Sequence, residues 1–132
     1  MPVSMHAELG DGAMTAAISD AMVGLLSRYT GRGATSAWTM FGKDLVVCVM
    51  GNALSKGEKR LVEDGNGEAV LAIRKAYQAG MAEEAIGVVE QLTGRRVAAF
   101  MSNNHIDPDL AVETFMLAPR PCDGNSGNAS AG

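Results

Sequence analysis

The feature that most constrains the fold is a three-residue motif that occurs twice, each time between a helical pattern and two strand-like runs. Thr30-Gly31-Arg32 precedes "GATSAWTMFGKDLVVCVM", and Thr93-Gly94-Arg95 precedes "RVAAFMSNNHIDPDLAVETFML". Glycine often ends a helix because it adopts the left-handed conformation, and a neighbouring arginine can bind the last helical carbonyls. The chain therefore reads as two helix–hairpin units, although convergent chemistry at two helix ends would give the same motif.

Hydrophobic spacing predicts the elements of each unit. Ser55 and Glu58 form a capping-box pattern, which predicts the start of a short helix. The predicted helices cover about 13–30, 56–63 and 68–92, and the predicted strands cover about 34–41, 45–50, 96–102 and 110–117. The apolar stripe of the long helix is placed on Val70, Ile73, Tyr77, Met81, Ala85, Val88 and Leu92.

This order predicts an α+β fold, a two-layer sandwich in the order α-β-β-α-α-β-β. The four-stranded sheet is expected to be mostly antiparallel, with the helices on one face. Residues 1–12 show no periodic pattern and are predicted to be a flexible arm before a single domain over 13–119. The rest, 120–132, is rich in Gly, Ser and Asn and is predicted to be a disordered tail.

Composition excludes several classes of protein. A net charge of −4 argues against a nucleic-acid partner, because binding phosphates requires a basic face. No stretch approaches the ~20 apolar residues of a membrane span, so direct membrane insertion is not expected. The start of the chain lacks a secretory signal pattern, and Cys48 and Cys122 do not form a disulfide framework. We expect a cytoplasmic protein.

The strand-like runs are apolar at both alternating positions, as Val46 and Val47 or Phe100 and Met101 illustrate. A sheet with one wet face would alternate apolar and polar residues. Three helices can cover only one face of a four-stranded sheet. We therefore expect the other face to be buried by self-association, most simply in a homodimer.

The segment "SNNHIDPDL" at 102–110 is the main candidate for chemistry. A neutral imidazole and two carboxylates, from His105, Asp107 and Asp109, could bind Zn²⁺ or Mn²⁺. Asn, Asp and Pro are also strong turn residues, and the chain must reverse here between two strands. The favoured interpretation is a structural turn without a metal. An exposed polar loop can also contact a partner.

Other candidates for catalysis are weak. "TGRGATS" leaves a helix C-terminus, where the dipole has the wrong sign for a phosphate, so Arg32 is interpreted as a partner of the last helical carbonyls. Glu113 alternates with apolar neighbours and is expected at an edge of the sheet, as a minor acid/base candidate. No Ser/His/Asp set, CxxC pair or nucleotide fingerprint is present. We expect no cofactor and lean against an enzyme.

Several segments together resemble a bacterial family, the MpsC-like domain of a sodium-translocating, membrane-potential-generating system. The resemblance covers about 13–119. Its most telling matches are Gly31-Arg32-Gly33 with Thr35, Asp44-Leu45-Val46-Val47, Leu54 to Glu58, Leu92 to Arg95, and Asn104-His105 with Asp107-Pro108-Asp109. The chain departs from the pattern at Ala34, where a proline is expected, and at "SKGE", where "TPAE" is commoner.

The resemblance implies an accessory role in membrane energetics and supplies no catalytic residues. One hypothesis is a non-enzymatic interaction module that is attached to membrane subunits or regulates them. Its contact candidates are Arg32, Asn104, His105, Asp107 and Asp109. The alternative is a small-ligand- or metal-binding protein, with an enzyme as one form of it, that uses the loop around His105.

Overall fold

The computed structural model describes the backbone of residues 2–120 and the side chains of residues 12–120. Three helices and four strands follow the predicted order α-β-β-α-α-β-β, which confirms the α+β fold class. The elements are α1 (Pro2–Thr30), β1 (Ser36–Gly42), β2 (Leu45–Gly51), α2 (Lys56–Glu63), α3 (Gly67–Thr93), β3 (Val97–His105) and β4 (Leu110–Leu117).

The first helix begins at Pro2, earlier than the start near residue 13 that the hydrophobic spacing predicts. The division into an arm over 1–12 and a domain over 13–119 stays a prediction. The proposed tail, with Cys122, lies outside the described residues apart from Arg120.

All four strands form one antiparallel sheet in the order β1-β2-β4-β3. Each hairpin contributes one edge strand and one inner strand, and the two hairpins meet where β2 pairs with β4. Cys48 lies opposite Glu113 in this central pairing, with Val47 opposite Thr114 beside it. A register shift between Val97 and Ala99 interrupts the β3–β4 pairing near its start.

The core lies between the helices and one face of the sheet. Successive strand residues point to opposite faces, and the buried positions of β2 and β4 alternate accordingly. The buried apolar residues from α1, the strands and α3 are Ile18, Met22, Leu25, Leu26, Val46, Cys48, Met50, Met81, Ala85, Val89, Ala111, Phe115 and Leu117.

The buried stripe of α3 differs from the predicted one. Its buried positions are Val70, Arg74, Gln78, Met81, Ala85 and Val89. Ile73 and Leu92, which the hydrophobic pattern placed in the core, are exposed. The helix is rotated so that one cationic and one amide side chain face inward. Both find hydrogen-bond partners there, which offsets part of the penalty for burying them, although Nε of Arg74 is buried without a partner among the described residues.

The two helix ends share one geometry, as the repeated motif predicts. Gly31 and Gly94 take left-handed φ angles of 80° and 70°. Each glycine N–H donates to the carbonyl four residues earlier at 2.8 Å, to Ser27 and Glu90 respectively. The preceding threonine hydroxyl also donates four residues back in both helices. The two ends are therefore equivalent turns in two similar units.

The arginine of each motif reaches across to the end of the following hairpin. Arg32 Nη2 donates to the carbonyl of Asn52 at 2.8 Å, one residue after β2. Arg95 Nη2 donates to the carbonyl of Ala118 at 2.8 Å, one residue after β4. The expectation that Arg32 binds the last helical carbonyls is therefore wrong. Its side chain is long enough to fasten the helix end to the second strand of the hairpin instead.

Candidate functional site

The turn predicted for the polar segment is confined to residues 106–109, because β3 continues past its predicted end at residue 102. His105 ends β3, and β4 begins at Leu110. The imidazole Nδ1 of His105 lies 2.9 Å from the carbonyl oxygen of Pro108, a contact that spans the turn. His105, which the sequence analysis proposed as a metal or partner ligand, therefore has a structural role in the turn.

Asp109 connects this turn to the loop after β2. Its carboxylate Oδ2 accepts a hydrogen bond from the N–H of Leu54 at 2.9 Å, and its carbonyl accepts from the N–H of Asn52 at 3.1 Å. The same loop is bound by Arg32, two residues after the end of α1. Asp109 and Arg32 therefore both bind the loop between β2 and the capped helix α2. Asp109 accepts from the N–H of Asn52, and Arg32 donates to its carbonyl.

Asn104 is paired with the core helix. Its Nδ2 donates to Oε1 of Gln78 at 2.7 Å, and Nε2 of Gln78 donates back to Oδ1 of Asn104 at 3.2 Å. This reciprocal amide pair fastens β3 to α3. Asn104 therefore has few free hydrogen-bonding groups for a ligand.

The five candidate residues thus divide into two groups. Arg32, Asn104 and Asp109 are bound within the fold, whereas His105 and Asp107 are exposed near the tip of the turn. Among the residues with described side chains, no three His, Cys, Asp or Glu come together as a metal-binding group. The metal set of His105, Asp107 and Asp109 is therefore not assembled in this conformation.

A row of four side chains crosses the sheet on its helix-covered face, and the sequence did not reveal it as a unit. Thr39 pairs with Cys48, Cys48 with Glu113, and Glu113 with Ser102. At one end of the row, the hydroxyls of Ser19 and Thr39 lie 2.8 Å apart. The row brings one residue from each strand together under the helices.

Glu113 lies at the centre of this row and is almost fully buried. Its carboxylate accepts hydrogen bonds from the hydroxyl of Ser102 and from Nε2 of Gln78. Burial raises the pKa of the carboxyl, and these two hydrogen bonds lower it in part. The expectation that Glu113 lies at an edge of the sheet is wrong, because β4 is an inner strand.

Cys48 is the neighbour of Glu113 on β2 and is fully buried. Burial raises the pKa of its thiol, a hydrogen bond with Thr39 lowers it, and the nearby charge of Glu113 raises it again. A thiol that is held protonated away from solvent is a poor nucleophile. The row is therefore not arranged to activate a thiolate.

A buried ion pair lies close to the turn. Arg74 Nη2 is 2.7 Å from Oε1 of Glu58, and the two side chains are only 3% and 9% exposed. Arg74 also donates to the carbonyl of Ala53. Glu58 accepts a hydrogen bond from the N–H of Ser55, which completes the predicted capping box. One carboxylate thus joins α2, its cap and α3.

The opposite side of the sheet carries apolar residues that no described element covers. Five of them are between 38% and 53% exposed: Trp38, Met40, Leu45, Met101 and Met116. Shorter residues lie between them on the inner strands: Val47, Val49, Val112 and Thr114. We call these nine side chains the open face. The prediction that both faces of the sheet are largely apolar agrees with this arrangement.

Fold and site together define a class of protein. It is an α+β domain whose helices cover one face of a four-stranded antiparallel sheet, with polar loops at one end that are held by hydrogen bonds. The profile of the family described as "Na+-translocating membrane potential-generating system (MpsC)" matches residues 11–119. The chain belongs to the MpsC family, which confirms the resemblance found in the sequence.

Neither the search of curated proteins nor the search of solved structures found a match for this chain. Within the described residues, the helices are all too short or too polar to cross a bilayer.

Proposed function

We propose that this domain is a non-enzymatic accessory module that contacts a protein partner through the turn between β3 and β4. The partner we assign is a cytoplasm-facing part of a membrane ion-translocating or membrane-potential-generating assembly, and we place the domain itself in the cytoplasm. The family description supports the assembly. It names a system and leaves open whether the domain catalyses a step or binds a ligand.

The observation that carries the proposal is the exposed tip of a firmly held turn. His105 and Asp107 are exposed, while the strands on both sides are paired up to His105 and Leu110. Asp109 fastens the base of the turn to Leu54. A contact loop that is already ordered loses little conformational freedom on binding, and polar loops on rigid hairpins commonly carry recognition.

The remaining polar candidates support a non-catalytic role. Three of them, Asn104, Asp109 and Arg32, form hydrogen bonds within the protein. Their polar groups are therefore used to stabilise the fold. Glu113 and Cys48 are buried, and burial raises the pKa of both groups; a substrate cannot reach them without a change in the packing of the helices. The residues left for contact with another molecule are those at the turn tip.

The experiment tests binding and function together. The double variant His105→Ala/Asp107→Ala and the matched control Glu63→Ala, an exposed acidic residue on α2, are expressed in cells that lack the native chain. We expect the control to restore the sodium-dependent membrane potential, measured with a voltage-sensitive dye, and the double variant to fail. Cross-linking from the turn should capture the same membrane protein with the control and not with the double variant.

Restoration of the potential by the double variant would refute a contact at the turn. An unchanged potential in cells that lack the chain altogether would refute the assembly itself. Stoichiometric metal or small ligand that leaves the purified protein when His105 is replaced would favour the ligand-binding alternative.

A further inference from the structure

The open face carries five of the nine large apolar residues that are exposed in the described part of the chain. We propose that the open face is the interface of a homodimer, in which the sheets of two copies pack face to face. This inference goes beyond the contact assigned to the turn, because none of the nine open-face residues is a contact candidate at the turn and the variant that tests it leaves the turn unchanged.

The absence of charged side chains on the open face favours a second copy of the chain as the molecule that covers it. No Asp, Glu, Lys or Arg occurs within the four strands except Glu113, which points to the helices. A twofold dimer places each patch against itself, so any charge near its centre would meet a like charge. The centre of this face, around Val47 and Thr114, is uncharged. A lipid surface would instead favour the Lys and Arg residues that these strands lack.

The size of the open face is close to what a specific dimer needs. Four strands about 4.8 Å apart and roughly seven residues long, at about 3.3 Å per residue, outline a face of roughly 20 Å by 23 Å. Two such faces with their projecting side chains remove on the order of 1,000 Å² from water, the lower range of specific protein interfaces. Leaving this surface wet would be unusual for a monomer.

The relief of the open face also suits sheet-on-sheet packing. The edge strands carry long side chains, Trp38 and Met40 on β1 and Met101 on β3, which are among the most exposed apolar residues. The inner strands carry the shorter Val49, Val112 and Thr114. Around Val47 and Thr114 the long side chains are at the edges, whereas Leu45 and Met116 project from the inner strands at the end of the sheet, so raised and low areas alternate over the open face. Two packed sheets interdigitate through such relief at ≈ 10 Å separation.

The competing arrangement is pairing of edge strands, because β1 is an unprotected edge without proline, charge or bulge. The substitution Thr114→Lys distinguishes a face-to-face dimer from a dimer joined at its edge strands. Thr114 lies on the inner strand β4 and its side chain is on the open face. Thr114→Lys places two like charges at the centre of a face-to-face dimer, whereas it leaves a dimer joined at β1 unaffected.

The single tryptophan of the chain reports on the interface directly. Trp38 is 52% exposed in one copy, so its emission should move to shorter wavelength as the protein concentration rises through the dissociation constant. Sedimentation velocity over the same concentrations gives the oligomeric state. The matched control is Leu92→Lys, which adds the same charge at an exposed apolar residue of α3, away from the open face.

We expect a dimer for the wild type and for Leu92→Lys at micromolar concentrations. Thr114→Lys should raise the dissociation constant at least tenfold, with unchanged far-UV circular dichroism and no concentration-dependent emission of Trp38. A monomeric wild type, with or without an emission shift on phosphatidylglycerol vesicles, would overturn the proposal. A Thr114→Lys protein that remains a dimer would overturn it too, in favour of edge pairing.

Discussion

Nε2 of Gln78 on α3 donates a hydrogen bond to Oε2 of Glu113 on β4 at 3.1 Å, inside the helix–sheet core. Both partners of Glu113, Gln78 and Ser102, are neutral, and their hydrogen bonds offset only part of the cost of burying a negative charge. Burial raises the pKa of Glu113 above its ordinary value of 4.5. The folded protein therefore prefers the protonated carboxyl, and ionisation of this group works against folding.

The stabilising contribution of protonated Glu113 is fully present below the pKa of the unfolded chain and is lost as the pH rises through the folded pKa. Glu113→Gln keeps a neutral hydrogen-bonding side chain at every pH. We expect it to match the wild type below pH 4.5 and to be more stable at pH 7 by at least ~1 kcal/mol. Urea unfolding at both pH values measures the difference.

Glu83→Gln, a change at an exposed position of the same helix layer, serves as the control and should show no such pH dependence. If Glu113→Gln were less stable than the wild type at neutral pH, the folded protein would contain a cationic partner for the carboxylate, and the prediction would be wrong.

The order of elements and the two helix ends could be predicted because they depend on local signals. Gly31 and Gly94 end helices through their own backbone conformation, and Ser55 with Glu58 marks a helix start within four residues. The inner position of β4 depends instead on how two hairpins meet. Nothing local in the sequence distinguishes an inner strand that is apolar on both faces from an edge strand that is covered by a second copy.

Removal of one partner of the ion pair between Arg74 and Glu58 should be strongly destabilising, because both side chains are buried and the remaining charge would be uncompensated. Arg74→Met removes the cation and leaves Glu58 charged in the core, which costs about 3–5 kcal/mol. Glu58→Gln in that background removes the stranded charge and still accepts the hydrogen bond of the Ser55 N–H. We expect the double variant to recover a measurable part of the loss.

A double-mutant cycle by chemical unfolding gives the interaction free energy of this pair. Additive single effects would show that the two charges act separately, in contradiction to the 2.7 Å contact.

The two equivalent arginines should differ in their contribution to stability. Arg95 donates to Asp44, Ala118 and Lys43, and its side chain is only 7% exposed. Arg95→Ala leaves several acceptors unpaired and should cost about 2–4 kcal/mol, against about 1 kcal/mol for Arg32→Ala. Thermal unfolding of both variants checks the order, and equal losses would contradict it.

Asp109 and Asp107 form a natural matched pair at the turn. Asp109→Ala removes the acceptor for the N–H of Leu54 and should destabilise the protein by about 1–3 kcal/mol. Asp107→Ala, at an exposed position, should change stability by less than ~0.5 kcal/mol. The reverse order in urea unfolding would mean that Asp107, and not Asp109, holds the turn.

Metal removal tests the alternative use of the same loop. If the turn is a structural and recognition element, dialysis against a chelator should leave the melting temperature of the wild type unchanged, and likewise that of His105→Ala, which lacks only the contact with the Pro108 carbonyl. Zinc or manganese at one equivalent per chain by elemental analysis, lost in His105→Ala, would contradict this expectation and support the ligand-binding hypothesis.

Sequence patterns identified the turn with four polar candidates, and Arg32 as a fifth, but not which of them are free to act. Asp107 and Asp109 have the same chemistry and differ only in that Asp109 reaches Leu54, 55 residues away in the chain. Arg74 and Gln78 were missed because the search for a core stripe favoured Ile73 and Tyr77. A buried arginine becomes recognisable only once Glu58 and the carbonyl of Ala53 are known to meet it.

The strand order has a consequence for how a nascent chain matures on the ribosome. β4 is synthesised after the other six elements, yet it is inserted between β2 and β3. Until residues 110–117 leave the exit tunnel, β2 has one vacant side and β3 has no neighbour in the sheet. The helices that pack over the core, α1 and α3, are complete before β4 is synthesised. The sheet and its core can therefore form only after the last strand is translated. Chaperone protection should matter most in that interval.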